Sequence, residues 1–182
     1  MRKLLEGMQP GGGELACTVF TVEEVQARVY ELGREIGKAY TAQDHLLVLG
    51  LLKGSFIFMA DLVRSIPVSL QVDFLIVSSY GVGKVSNNEV QLLYIPIVEL
   101  KGRAVLVVED IVDSGTTLSR LIPLIEAPDP TSIEVCTLLH KRVAQHGLEP
   151  RWVGFDAPNE FLVGYGLDHG EDFRHLPYIA SL

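Results

Sequence analysis

Only two cysteines, Cys17 and Cys136, occur in the 182 residues, and they lack CxxC spacing. Both are expected to be reduced, buried, small side chains, so neither a disulfide framework nor a cysteine-held zinc fits the chain. The five histidines, His45, His140, His146, His169 and His175, show no metal spacing with each other or with the cysteines, and are expected at the surface or behind the site. Basic charge is scarce: 23 acidic against 15 basic residues leave a net charge of −8. A surface of that sign repels polyanions, which argues against nucleic acid as a partner. No apolar run approaches the ~18 residues of a membrane span. Met1 to Glu14 lacks the apolar centre of a signal peptide, although Leu15-Ala16-Cys17 faintly looks like a lipoprotein cleavage site. A cytoplasmic protein without a membrane partner is expected. Neither GxGxxG nor a Walker loop is present, which removes the dinucleotide fingerprint and the P-loop.

What is present fits one domain over residues 1–182, large enough to bury roughly 70% of its unfolded surface. Residues 1–14, with Gly11 to Gly13, are expected to form a loose arm. Thr21 and Glu24 form a capping box, and Val22, Val25, Val29, Leu32 and Ile36 recur at helical spacing, predicting a helix to about Tyr40. A buried strand at Leu46–Leu51, a helix from Ser55 to about Arg64, and a strand from Val68 to Val77 follow. Further strands are expected at Val105–Val108 and Ile133–Leu139, around a helix at Thr116–Glu126. This alternation predicts an α/β fold with a mainly parallel, twisted sheet flanked by helices. The Gly- and Pro-containing segment from about 140 to 182 is expected to cap the sheet's carboxyl edge.

The most informative segment is VLVVEDIVDSGTTL, residues 105–118. An apolar strand runs into Glu109 and Asp110, where an α/β sheet opens its ligand crevice. Adjacent carboxylates accept hydrogen bonds from a cis-diol, which suits ribose. Ser114, Gly115, Thr116 and Thr117 offer three hydroxyls and backbone N–H groups at a helix start, which suits a phosphate. Gly115 lets the backbone approach the oxygens without a Cβ in the way.

These residues resemble the phosphoribosyl pyrophosphate signature of type I phosphoribosyltransferases, in the form typical of the 6-oxopurine (hypoxanthine-guanine) branch. LLKGSFIFMADL at 51–62, Ser79-Tyr80-Gly81, Leu138-Leu139 with Lys141, VGFDAPNEFLVGYGLD at 153–168, and Arg174 before HLPYI extend the resemblance over most of the chain. It implies transfer of ribose 5-phosphate from phosphoribosyl pyrophosphate to hypoxanthine or guanine. It also implies Asp113 as the general base toward the purine N7, and Lys53, Gly54 and Arg174 at the pyrophosphate, with a cis Leu52-Lys53 peptide. By the same resemblance Ser79 and Tyr80 are expected in a flap over the site. The resemblance implies that Lys141 reads the 6-oxo group, that Phe161 stacks on the base, and that backbone near Leu162 and Asp168 reads its 2-position. Mg²⁺ is the implied cofactor, held by Asp168 with Glu109 and Asp110. The resemblance further implies a hood over the sheet's carboxyl edge and assembly as a homodimer or homotetramer. Xanthine or a pyrimidine as the preferred base remains open, and so does an RNA-binding regulator on the same fold, although such a regulator needs a basic face. The apolar Tyr94 to Val98 stretch departs from the family pattern and is expected to mark either a subunit contact or a changed flap hinge.

Overall fold

The computed structural model describes residues 15–78, 91–94, 98–142 and 149–182. The flap residues Ser79 and Tyr80, the N-terminal arm, and the centre of the apolar stretch at 95–97 lie outside them.

Thr21 caps helix α1 (Val22–Gly37) as its sequence predicts: its hydroxyl accepts from the Glu24 N–H, and Glu24 accepts from the Thr21 N–H at 2.8 Å. The helix stops at Gly37, short of Tyr40, whose ring packs instead beside Trp152. Strand β2 (Leu47–Leu52) leads into α2 (Phe56–Ser65), then β3 (Gln71–Ser78) and β4 (Gln91–Tyr94). Strand β3 begins three residues later than the apolar pattern suggests, because its ladder starts where Leu47 meets Gln71. Strand β5 (Ala104–Val112), helix α3 (Thr116–Glu126), strand β6 (Ser132–His140) and strand β7 (Trp152–Asp156) complete the main sheet.

The sheet order is β4-β3-β2-β5-β6-β7, parallel except for the β3–β4 pair. Along the central strands the apolar runs serve both faces alternately. Val48, Leu106 and Val108 pack under α1 and α2, while Leu47, Leu49, Val105 and Val107 pack under α3. Burial on both faces is why these strands read as unbroken hydrophobic runs. Each fully buried side chain of this kind contributes about 1.5–3 kcal/mol, so the central strands anchor the site in well-packed core.

Trp152–Asp156 corrects the expectation that everything after His140 forms a cap, since it pairs in parallel with β6 as the sheet's edge strand. The cap is a small antiparallel sheet of three strands from distant parts of the chain: β1 (Cys17–Phe20), β9 (Ile179–Ser181) and β8 (Leu162–Val163), in the order β1-β9-β8. Cys17 is therefore exposed rather than buried, since β1 is this sheet's edge, while Cys136 lies in the core.

Candidate functional site

Strand β5 does not end at its acidic pair. Its ladder with β6 continues to Val112 opposite His140, so Glu109 and Asp110 lie inside the strand, before its end. The consequence is electrostatic. Glu109 is only 7% exposed, and its Oε2 has no hydrogen-bond partner among the described residues. Burial, and then the Asp110 carboxylate beside it, push its carboxyl up to about 8. Asp110 is raised as well, chiefly by burial, with Asp168 adding to the rise while its own N–H, that of Ile111 and Arg174 oppose it. Two crowded acids with an unfilled oxygen describe a place made for hydroxyl donors or a cation.

Space for Asp110 comes from the loop after β2. A Cβ on Gly54 would stand 1.7 Å from Asp110 Oδ2, so only glycine lets that loop pass the carboxylate. The same loop meets the hood at a second glycine: a Cβ on Gly166 would fall 2.1 Å from the Gly54 carbonyl oxygen. The Leu52-Lys53 peptide is cis, as the family resemblance implies.

Beyond β5 the chain turns at Gly115, whose φ of 75° lies in the left-handed region, and enters α3. Ser114 Oγ and Thr116 Oγ1 are 2.9 Å apart, and the Thr116 N–H points to the Ser114 hydroxyl at 3.4 Å. Thr117 follows on the helix's first turn. Hydroxyls and early helical N–H groups thus face one corner, the arrangement that binds phosphate.

Asp113, exposed between the acidic pair and that corner, accepts a hydrogen bond from Lys141 Nζ at 3.0 Å. The Lys141 side chain is only 13% exposed and hangs from the end of β6, where its backbone N–H donates to the Val112 carbonyl at 3.0 Å. Neighbouring parallel strands therefore present one carboxylate and one ammonium side by side. Phe161 stands 54% exposed just before β8, its ring perpendicular to that of His169 with centroids 5.2 Å apart. Leu162 beside it is buried in the hood sheet.

On the far side, Arg174 Nη1 donates to the Gly166 carbonyl at 2.7 Å, and Nη2 reaches Asp168 Oδ1 at 2.7 Å and Glu171 Oε2 at 3.3 Å. Its Nε is buried without a partner among the described residues. Lys53 pairs with Glu171 Oε1 at 2.9 Å. Glu171, unmarked in the sequence, thus touches both cations expected at a pyrophosphate. Hydrogen bonds from Lys53 and then Arg174 hold its carboxyl below the usual range.

Among the described residues, no group of three or more His, Cys, Asp or Glu side chains could by itself hold a metal ion. Glu109, Asp110 and Asp168 accordingly form no closed cage. Their hard oxygen donors, and the unfilled oxygen of Glu109, fit Mg²⁺ of the kind that keeps water and shares substrate phosphates. Of the two places expected for the histidines, His140 does not take the surface: it is fully buried, and neither ring nitrogen has a partner among the described residues. Its place at the end of an extended apolar strand gave the only warning.

The phosphoribosyl transferase domain family matches residues 21–169. Among curated proteins, hypoxanthine-guanine phosphoribosyltransferase of Mycobacterium bovis is 46% identical over 177 residues, covering 93% of this chain and 87% of its own length. Hypoxanthine phosphoribosyltransferase of Escherichia coli is 44% identical over 161 residues, covering 87% and 90%. A crystal structure of a hypoxanthine phosphoribosyltransferase from Staphylococcus aureus superposes with a TM-score of 0.86 at 40% identity, over 92% of this chain and 91% of that one. Crevice, hood and sequence agree: the chain belongs to the phosphoribosyltransferase family.

Proposed function

We propose that the protein is a purine-salvage enzyme that transfers the 5-phosphoribosyl group of phosphoribosyl pyrophosphate to hypoxanthine or guanine, giving IMP or GMP and pyrophosphate. The Asp113–Lys141 pair carries this reading. A 6-oxopurine bearing its proton on N7 presents, side by side on one edge, a donor at N7 and an acceptor at O6. A carboxylate and an ammonium 3.0 Å apart at neighbouring strand ends complement that edge. An aminopurine would turn hydrogens toward the ammonium instead.

In this reading Ser114, Gly115, Thr116 and Thr117 grip the 5-phosphate, and Glu109 and Asp110 accept from the two ribose hydroxyls. The C1–oxygen bond to pyrophosphate breaks as N9 bonds to C1, and positive charge grows on the sugar above the two acids, which favours that charge electrostatically. Asp113 takes the N7 proton, and the bonding electrons leave with pyrophosphate toward Lys53, Gly54 and Arg174. Phe161 covers one face of the base, and the backbone at Leu162 and Asp168 borders its 2-position. Asp168, Glu109 and Asp110 would hold Mg²⁺, which would supply charge to offset that of the leaving group. Ser79 and Tyr80 fit a lid that keeps water from the cationic sugar.

The reaction belongs in the cytoplasm, and no helix among the described residues is long and apolar enough to cross a membrane. Val72, Phe74 and Ile76, alternating along β3, are 49%, 39% and 36% exposed, with Phe56 of α2 at 43%. Such a face supports a homo-oligomer, a dimer or a tetramer. The test is nucleotide formation from phosphoribosyl pyrophosphate and Mg²⁺ with hypoxanthine, guanine, xanthine, adenine and uracil in turn. Turnover of hypoxanthine or guanine is expected; product from adenine or uracil alone would overturn the proposal.

A further inference from the structure

We infer that Glu171 is a displaceable internal counter-anion for the pyrophosphate subsite, occupying with its carboxylate the two cations that the substrate's pyrophosphate must take over. The inference rests on the proposed reading of that subsite. Lys53 comes from the loop after β2 and Arg174 from the hood, and the carboxylate of Glu171 links them, Oε1 to Lys53 at 2.9 Å and Oε2 to Arg174 at 3.3 Å. Two oxygens of one anion between two cations are what a diphosphate would supply.

Its backbone position strengthens the case. His169 and Asp172 exchange backbone hydrogen bonds at 3.3 and 3.1 Å around Gly170 and Glu171, whose φ angles are 61° and 71°. That is a two-residue turn with both central residues left-handed, a setting that favours Gly, Asn or Asp. Glutamate gains nothing there from the turn itself. Its N–H donates to Asp168 Oδ2 at 2.9 Å, which aims the side chain back at the cations.

The contacts are also weak enough to yield. The Lys53 and Glu171 side chains are 66% and 64% exposed, so water screens the pair, and a more highly charged diphosphate outcompetes a single carboxylate. Once product forms, the same carboxylate returns to the vacated cations and disfavours rebinding. Glu171 would therefore lower affinity for pyrophosphate without touching base recognition.

The test is titration of the full chain with inorganic pyrophosphate and Mg²⁺, by calorimetry and by product inhibition, for the unmodified protein, Glu171→Gln and Asp172→Asn. For two screened ion pairs, Glu171→Gln should bind pyrophosphate about three- to tenfold tighter and be inhibited by it to the same degree, with the KM for the base unchanged. Asp172→Asn removes the same charge one residue along and should change affinity less than about twofold, because Asp172 makes no side-chain ion pair among the described residues. Equal effects from the two variants would mean a general field effect and overturn the inference, as would unchanged or weaker binding in Glu171→Gln. If the unmodified protein turns over purine yet binds no pyrophosphate, this subsite is misassigned and the inference falls. If it turns over no purine at all, the enzymatic reading falls first.

Discussion

Replacing Glu109 with Gln should make the ligand-free protein more stable, and increasingly so as pH rises. Folded Glu109 keeps its proton up to about pH 8, whereas in the unfolded chain the group ionises near its ordinary 4.5. Between those values the folded state holds the extra proton, so stability declines with rising pH and the loss is complete above pH 8. At ~1.4 kcal/mol per pH unit the full penalty is about 3–5 kcal/mol. For a chain of this length that corresponds to roughly 10 °C in melting temperature. The neutral amide has the same shape and no such penalty. Thermal unfolding of both proteins from pH 5 to 9, in chelator-treated buffer without substrate, should give curves close together at pH 5 that diverge toward pH 9, the variant melting higher. Asp110 interacts with Glu109, so the difference between the curves reports the Glu109 carboxyl together with its coupling to Asp110. Parallel curves would refute the claim that this carboxyl is buried at the cost of its charge.

Asp113→Asn should lower turnover by about 10²–10⁴-fold while phosphoribosyl pyrophosphate still binds, checked by steady-state kinetics beside a direct binding titration; a loss under about threefold would remove it as the base. Gly54→Ala drives a methyl group into Asp110, and displacements near 1 Å in such sites cost on the order of 10²-fold in kcat/KM. Unaltered kinetics for phosphoribosyl pyrophosphate would show that the loop has room to spare. His140→Leu should leave the denaturation midpoint unchanged or raised, since a buried ring without a partner among the described residues is replaced by an apolar group, whereas His140→Ala should lose about 2–5 kcal/mol to a cavity. Leu proving worse than Ala would point to a hidden partner for the ring.

The elements most legible in the sequence are those whose signals are local. Thr21 with Glu24 marked the start of α1, and Leu118, Leu121, Ile122 and Ile125 marked α3 at its observed bounds, Thr116–Glu126. The acidic pair, the hydroxyl loop and Asp113 were equally plain, because they lie within nine residues of chain. Hood strands of two to four residues gave no periodicity to read, and β1 finds its partner some 160 residues away, where Cys17 meets Ser181. The contact of Lys141 with Asp113, and of Glu171 with Lys53 across 118 residues, were invisible for the same reason. Periodicity says which way a side chain points within its own element; it does not say what the folded chain brings to meet it. The burial of Glu109 escaped notice because the length of β5 is set by its pairing with β6, a tertiary property.

A cap stitched together from both flanks of the core has no short route to completion. The phosphate corner needs only the adjoining β5 and α3, so its residues meet early in any search, whereas Cys17–Phe20 must await Ile179–Ser181, a closure of high sequence separation and correspondingly slow. During refolding we expect competence to hold the sugar's anionic end to emerge before competence to hold the nucleobase. Pulsed amide exchange would record this as late protection confined to the three hood strands, and simultaneous protection of hood and corner would contradict it.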